Sequence, residues 1–197
     1  MKERPILFSG SMVRAILAGR KTVTRRVIKP GFPTSVTEVL PYVNAPGAWI
    51  PSNPHNSEEP WDEQVRICPY GQPGDRLWVR ETYADIGCRL TYRADQDDGA
   101  HCQVKKWTPA IHMFRKDSRI LLEITALRVE RLQAISRSDI RAEGLQCPPE
   151  LGSDDISPNY RDWYPAAWRE LWESINGADS WNANPWVWVV EFKRVTP

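Results

Sequence analysis

Proline is the residue type that most restricts how this chain can fold, because a proline inside a helix removes a hydrogen bond and clashes with the preceding turn. The sequence has 17 prolines, and nine of them lie in residues 29–75. This distribution argues against an all-helical fold. It predicts a long proline-rich insertion, with short hairpins, over about residues 29–70.

Length and composition are those of one globular domain, predicted here to span residues 1–197. With 41% hydrophobic and 26% charged residues, the chain is not of the disordered, coiled-coil or collagen-like classes. It has no apolar run long enough for a membrane-spanning helix, and its first residues lack the apolar centre of a secretory signal. Four dispersed cysteines without a CxxC motif favour a reduced, cytoplasmic protein with no membrane partner.

Hydrophobic spacing predicts an α+β fold with five to seven strands and three short helices. Strands are predicted at residues 5–8, 21–28, 36–43, 76–82, 90–93, 119–132 and 186–195. Helices are predicted between Ser9 and Gly19, from Ser136 to Ala142, and from Tyr164 to Asn176. Because helices do not regularly separate the strands, we expect a small, mostly antiparallel β-barrel rather than a doubly wound parallel sheet.

Basic residues are concentrated near the N-terminus. Residues 1–29 contain eight lysines and arginines and one acid, whereas the rest of the chain has more acids than bases. Such a cluster on an otherwise balanced protein favours a phosphate or nucleotide site. A solvated basic face is an equally good interpretation.

Common catalytic motifs are absent: there is no phosphate-binding glycine loop, no GxSxG and no HExxH. His101, Cys102 and His112 do not have zinc-ligand spacing, so no metal and no cofactor are predicted. The turn Gly19–Arg26 instead gathers one amine, two hydroxyl and three guanidinium groups. These cations also fit the C-terminus of a helix, where they complement the helix dipole.

The segment Ala15–Arg26, AILAGRKTVTRR, resembles the signature of the ASCH domain, a family of the PUA-like superfamily. Three later pieces resemble elements of that family in the same order: Gly74–Val79, Glu143–Leu145 and Val189–Phe192. The resemblance covers most of the chain and leaves about residues 29–70 and 146–162 as insertions. It points to the larger, tryptophan-rich ASCH proteins of phages and prophages.

The resemblance implies a PUA-like β-barrel with a cleft beside the first helix, and binding of RNA, DNA or a modified nucleoside. One branch of the family is the N4-acetylcytidine amidohydrolases. Their catalytic lysine, threonine and glutamate map onto Lys21, Thr24 and Glu143 of this sequence.

Hydrolysis of an amide needs a nucleophile, a base and an acid for the leaving amine. Thr24 or a water would attack, neutral Lys21 would be the base, and Glu143 would carry the proton to the leaving nitrogen. Burial would lower the pKa of Lys21, as would its neighbours Arg20, Arg25 and Arg26, provided that Glu143 is not ion-paired to Lys21 in the free protein. Lys21 and Thr24 would face opposite sides of a straight strand, so this mechanism also requires a bend near Lys21.

Further side chains are predicted to bind substrate: Ser9, Arg20, Arg25, Arg26, Arg80, Glu81, Trp107, His112 and Arg115. The segment Trp107–Arg115 mixes aromatic and cationic residues, which suits base stacking and phosphate contact. A core-packing loop is the alternative. Trp168, Trp172, Trp186 and Trp188 are predicted to lie in the core.

Three functions fit these observations. The chain is an amidohydrolase of a modified cytosine, a non-catalytic RNA- or DNA-binding module, or a phage protein-interaction factor with its insertions as the interface. The set of Lys21, Thr24 and Glu143 favours the enzyme, since a binding module needs only a pocket and aromatic residues. The sequence makes no prediction of the oligomeric state.

Overall fold

The computed structural model describes residues 1–55, 60–95, 103–148 and 163–195. In these ranges the strands are β1 (Glu3–Leu7), β2 (Val23–Val27), β3 (Glu38–Pro41), β4 (Ala48–Ser52), β5 (Arg66–Ile67), β6 (Arg76–Arg80), β7 (Tyr83–Asp85), β8 (Leu90–Tyr92), β9 (Leu121–Arg131) and β10 (Trp186–Val195). The α-helices are α1 (Gly10–Leu17), α2 (Arg137–Ala142) and α3 (Trp163–Asn176). The predicted α+β class is confirmed.

A five-stranded sheet with the order β1-β6-β9-β10-β2 forms the centre of the fold. Only the β1–β6 pair is parallel among its four pairs, so the sheet is mostly antiparallel, as predicted. β10 is apolar on both faces. Its residues Trp188, Val190 and Phe192 join a core with β1, β6, β9 and α1, whereas Val187 and Val189 pack with α2 and α3.

The five-stranded sheet is strongly curved. Its edge strands β1 and β2 would lie about 19 Å apart in a flat sheet of this width, yet Arg26 Nη2 donates to Leu7 O over 2.6 Å. Within the described residues the two edges are therefore bridged by a side chain and not by backbone pairing. The predicted barrel is an open, curled sheet with a seam between β1 and β2.

The described part of the proline-rich segment contains regular structure. It contains the sheet β3-β4-β5 and a 3₁₀ turn at Trp61–Gln64. The ring of Trp49 contacts that of Trp188 with centroids 6.4 Å apart, which fixes this small sheet on β10. Three strands therefore lie where the sequence predicted one. No helix within the described ranges has the length and apolarity to cross a membrane.

The helices begin and end close to the predicted residues. Ser9 caps α1 by accepting from Met12 N, and Ser136 caps α2 by accepting from Asp139 N. The predicted strand over residues 21–28 begins only at Val23, because the backbone N–H groups of Arg20 and Lys21 donate to Ala15 O at the end of α1. Ile175 follows Trp168 and Trp172 at the helical spacing that predicts a shared core face, yet it is 52% exposed. Residues 149–162, which make up most of the second predicted insertion, lie outside the described ranges.

Candidate active site

Lys21 and Glu143 form a buried ion pair beneath β2. Lys21 Nζ donates to Glu143 Oε2 over 2.6 Å, to Glu143 O over 2.9 Å and to Val23 O over 2.8 Å. Lys21 is 2% exposed and Glu143 is 4% exposed. Three acceptors around Nζ match the three N–H groups of an ammonium, which is the hydrogen-bonding geometry expected of a lysine–carboxylate ion pair.

The environment of Lys21 acts on its pKa in opposite directions. Burial lowers the pKa of Lys21 and is the largest influence, the Glu143 carboxylate raises it, and Arg26 and Arg25 lower it. The net direction is downward. The sequence-based condition that Glu143 is unpaired in the free protein is wrong, because the two residues converge from segments that are distant in sequence.

A sharp turn places Lys21 against Glu143. The backbone N–H groups of Arg20 and Lys21 both donate to Ala15 O, and Thr22 N donates to Ala142 O over 2.8 Å. The turn supplies the bend that the sequence-based mechanism requires. It lets Nζ reach back to Val23 O while the chain enters β2.

Glu143 is followed by Gly144, a position where backbone conformation and close packing require glycine. Its φ is +96°, and a Cβ added there would lie 2.8 Å from Ala15 Cβ and 3.1 Å from Lys21 Cβ. A side chain would therefore be strained in conformation and would push the end of α2 away from α1. The close approach that brings Glu143 to Lys21 requires glycine at this position.

A second buried cation, Arg25, contacts Glu143 together with two further carboxylates. Its side chain is fully buried and donates to Glu130 Oε1 over 2.9 and 2.5 Å, to Asp139 Oδ2 over 2.6 Å and to Glu143 Oε1 over 3.4 Å. Arg128 binds the same Glu130 and Asp139 from the solvent side. The guanidinium of Arg25 thus contacts protein carboxylates and not an open phosphate site.

The backbone of β2 presents one free edge. Phe192 N donates to Thr22 O and Ile28 N donates to Trp186 O, so even-numbered residues face β10. Because successive backbone groups of a strand point in opposite directions, the N–H and C=O groups of Val23, Arg25 and Val27 point away from β10. No other described strand pairs with this edge.

A cavity of ≈ 250 Å³ lies along the free edge of β2. Thr24, Arg25, Arg26 and Glu143 line it, and Tyr70, Trp168 and Trp172 add aromatic walls. Lys21 lies behind Glu143 rather than on the cavity wall. The volume is slightly below the ~300 Å³ of small ligand pockets in proteins, and it suits one nucleobase rather than a folded polymer.

The remaining predicted binding residues lie apart from this cavity. Arg20 lines a separate cavity of ≈ 630 Å³, and Ser9 is the cap of α1. Glu81 is 1% exposed and is held by Arg119 through contacts of 2.9 and 3.0 Å. Arg115 pairs with Glu3 on β1.

The segment Trp107–Arg115 forms a distinct surface near β7. Arg80 stacks on the ring of Trp78 and, with His112, lines a third cavity of ≈ 380 Å³. Trp107 is partly buried. The described residues contain no cluster that could hold a metal ion, and His101 and Cys102 lie outside them.

Several residues of the site were not identified from the sequence. Asp139 was not identified, although it lies four residues before Glu143 at the end of α2, a spacing that could have indicated paired carboxylates. Glu130 and Tyr70 have no such signal, because only the tertiary fold brings them to Arg25 and to the cavity. Trp168 and Trp172 were predicted as core residues, and they are both core and cavity wall.

Comparison with protein-family models and with curated proteins finds no match for this chain. Two solved structures are similar to it. The crystal structure of an ASCH domain from Lactobacillus crispatus has a TM-score of 0.41 and 12% identity, covering 98% of this chain and 79% of that one. The crystal structure of a hypothetical protein has a TM-score of 0.36 and 9% identity, covering 99% of this chain and all of that one.

Proposed function

We propose that this chain is a PUA-like protein of the ASCH type that hydrolyses the amide on the N4 atom of an acylated cytosine. The observation that carries the proposal is the buried Lys21–Glu143 pair, with its 2.6 Å contact, behind a base-sized cavity that Thr24 lines. A phage or prophage origin and a cytoplasmic location belong to the same proposal. They rest on the sequence resemblance and the cysteine pattern alone.

The proposed reaction starts with transfer of a proton from Lys21 to Glu143 along their short hydrogen bond. The neutral amine of Lys21 then takes a proton from the hydroxyl of Thr24 or from a water, and the resulting oxygen nucleophile attacks the acyl carbon. Glu143 gives its proton to N4 as the C–N bond breaks. The cytosine leaves with a free amine, and a water supplies the oxygen of the carboxylic acid product, directly or by hydrolysing an ester on Thr24.

Burial favours the first step of this mechanism. An ion pair that has lost its hydration is poorly stabilised relative to its neutral form, and the net influence on Lys21 lowers its pKa. Thr24 also lies on the face of β2 opposite to Arg25, in contact with the same cavity. Glu143 lines this cavity as well and can serve the nucleophile, whereas Glu130 and Asp139, the other carboxylates that bind Arg25, do not line it.

We expect the wild-type protein to convert N4-acetylcytidine to cytidine and acetate. The assay is chromatographic and uses the nucleoside and the same base in RNA and in DNA oligonucleotides. Glu143→Gln is the matched control, since it keeps the shape of the side chain but cannot accept the proton from Lys21. Absence of turnover by folded protein at high concentration would contradict the enzymatic proposal.

A non-catalytic RNA- or DNA-binding module is the second candidate, and the surface charges favour it. Six of the eight basic N-terminal residues fall into two groups in the structure, and the other two, Arg14 and Arg26, donate to backbone carbonyls. Arg4, Lys21 and Arg25 are paired with acids, whereas Lys2, Arg20 and Lys29 are exposed. Phosphate contacts would come from the exposed group. Lys29 lines the cavity along β2, whereas Arg20 lines the separate cavity of ≈ 630 Å³.

Binding of a single-stranded RNA should weaken as salt rises, and Lys29 should account for part of the slope. Each phosphate contact contributes about 0.7 to the slope of log K against log salt on a single strand. We expect Lys29→Ala to reduce the slope by roughly that amount and Lys116→Ala, a distant exposed lysine, to leave it unchanged. Fluorescence anisotropy at several salt concentrations measures both, and equal slopes for wild type and Lys29→Ala would refute the assignment.

A further inference from the structure

The cavity along β2 lies at the edge of the strand and not on one of its faces. Side chains of a strand alternate between two faces, yet four consecutive residues of β2 line this cavity: Thr24, Arg25, Arg26 and Val27. Its walls also come from both sides of the sheet, with Tyr70 packed on one hydrophobic core and α3 on the other. The main-chain groups of β2 that point away from β10 therefore face the cavity.

Arg25 contributes its main chain to this cavity. The whole residue is 4% exposed, whereas its side chain is 0% exposed and is held by carboxylates, so the accessible surface of Arg25 belongs to its backbone. The N–H group of Arg25 points away from β10 and has no hydrogen-bond acceptor among the described residues. Pairing of β2 with β10 fixes the direction of this unused donor.

Hydrolysis of an amide needs a donor at the acyl oxygen, because negative charge develops there when the nucleophile adds. Preorganised donors aimed at that oxygen are often the largest single contribution to catalysis. The two guanidinium groups that follow Thr24 in sequence are engaged elsewhere, since Arg25 contacts three carboxylates and Arg26 donates to Leu7 O. The N–H group of Arg25, in contrast, belongs to the peptide that directly follows Thr24, next to an acyl group under attack there.

We infer that the main-chain N–H group of Arg25 donates to the acyl oxygen of the substrate and stabilises the negative charge of the tetrahedral intermediate. The inference rests on the proposed function for the reaction. The electron pair of the C=O bond moves onto this oxygen as the nucleophile adds, and it forms the double bond again as the C–N bond breaks. α/β-Hydrolases, which have a different fold, use the N–H group of the residue after the nucleophile in the same way.

Replacing the amide of Arg25 by an ester tests this role, because an ester has no N–H group and the side chain is kept. Cys68 makes the protein accessible: synthetic residues 1–67, with the α-hydroxy acid of arginine at position 25, are joined to expressed residues 68–197 by native chemical ligation. We expect kcat for N4-acetylcytidine to fall by about 10²- to 10³-fold, the usual effect of losing one such donor.

The matched control is the same replacement at Leu7 on the other edge of the sheet. Phe8 N donates to Arg80 O of β6, so the N–H group of Leu7 points away from β6, and Leu7 does not line the cavity. Each ester weakens one carbonyl that pairs with a neighbouring strand, and far-UV circular dichroism checks that both proteins fold. The Leu7 ester should keep the wild-type rate, and an Arg25 ester that also kept it would overturn the inference.

A binding measurement needs neither turnover nor the ester protein. The carbamate N4-methoxycarbonylcytidine keeps the acyl oxygen on a less reactive carbon, whereas cytidine has no acyl group. In ¹H–¹⁵N spectra of the wild-type protein, the carbamate should move the main-chain N–H resonance of Arg25 downfield, and cytidine should move it much less. This shift without deacylation of N4-acetylcytidine would keep the contact and reject the proposed enzyme. Deacylation without the shift would reject the contact and keep the enzyme, and absence of both would reject both.

Discussion

Replacing Lys21 by methionine should lower kcat/KM for deacylation of N4-acetylcytidine by about 10²- to 10⁴-fold, the usual contribution of a general base. Methionine resembles the lysine side chain in length and cannot accept a proton. Arginine is a poorer test, because Lys21 is fully buried and a guanidinium has no room there. Lys116→Met, at an exposed lysine that does not line this cavity, is the control and should retain the wild-type rate.

The pH profile gives this prediction a second readout. Since the mechanism needs the one proton that Lys21 and Glu143 share, the rate should fall with rising pH as Lys21 loses that proton, at a pH below the ordinary pKa of lysine because burial lowers the pKa of Lys21. The double variant Lys21→Met/Glu143→Gln replaces the ion pair by two neutral groups of similar shape and shows whether the single variant loses activity or loses its fold. A Lys21→Met protein that stays folded and keeps the wild-type rate would remove Lys21 from the mechanism.

Arg25→Met should reduce the free energy of unfolding by about 3–5 kcal/mol, because it removes a fully buried cation from the buried Glu143 and the half-buried Glu130 and Asp139. Arg25 is fully buried and contacts Glu130, Asp139 and Glu143. Arg128 shares the first two of these acids, but its side chain is 34% exposed. Arg128→Met should therefore cost only about 0–1 kcal/mol, as is typical of surface ion pairs.

Urea unfolding of the two variants, followed by far-UV circular dichroism, measures the difference. The comparison separates a structural role of Arg25 from the substrate-binding role that the sequence predicted for it. Similar losses for Arg25→Met and Arg128→Met would mean that the carboxylates around Arg25 are hydrated. A stable Arg25→Met protein with weakened RNA binding would instead support the substrate-binding role that the sequence predicted for Arg25.

Much of the fold could be predicted from local patterns. The continuous apolar run of β10 indicated a strand buried on both faces, and Ser9 and Gly19 marked the ends of α1. The proline-rich segment was recognised as an insertion, but its three strands are short and their pairing depends on contacts with β10. The alternating pattern predicted that this strand begins at Lys21. It could not show that the backbone N–H groups of Arg20 and Lys21 donate to Ala15 O, so that β2 begins only at Val23.

The candidate site could be predicted only in part. Lys21, Thr24 and Glu143 were identified through the resemblance, and residue spacing placed none of them together. The pairing of Lys21 with Glu143 and the acids around Arg25 involve residues more than 100 positions apart in sequence. Trp168 and Trp172 were correctly placed in the core, yet their position in the wall of the cavity depends on how α3 packs beside β2.

Helix α3 and Tyr70, which lie in front of the free edge of β2, also affect self-association. An unpaired strand edge is a template on which another chain can add a strand, and the other edge of the sheet, β1, carries the exposed Pro5 and the basic Lys2 and Arg4, which oppose such addition. β2 has no comparable protection in its own sequence, since its outward backbone groups belong to Val23, Arg25 and Val27. Helix α3 and Tyr70 stand in front of this edge instead, so the same residues that enclose the cavity shield the strand from intermolecular pairing.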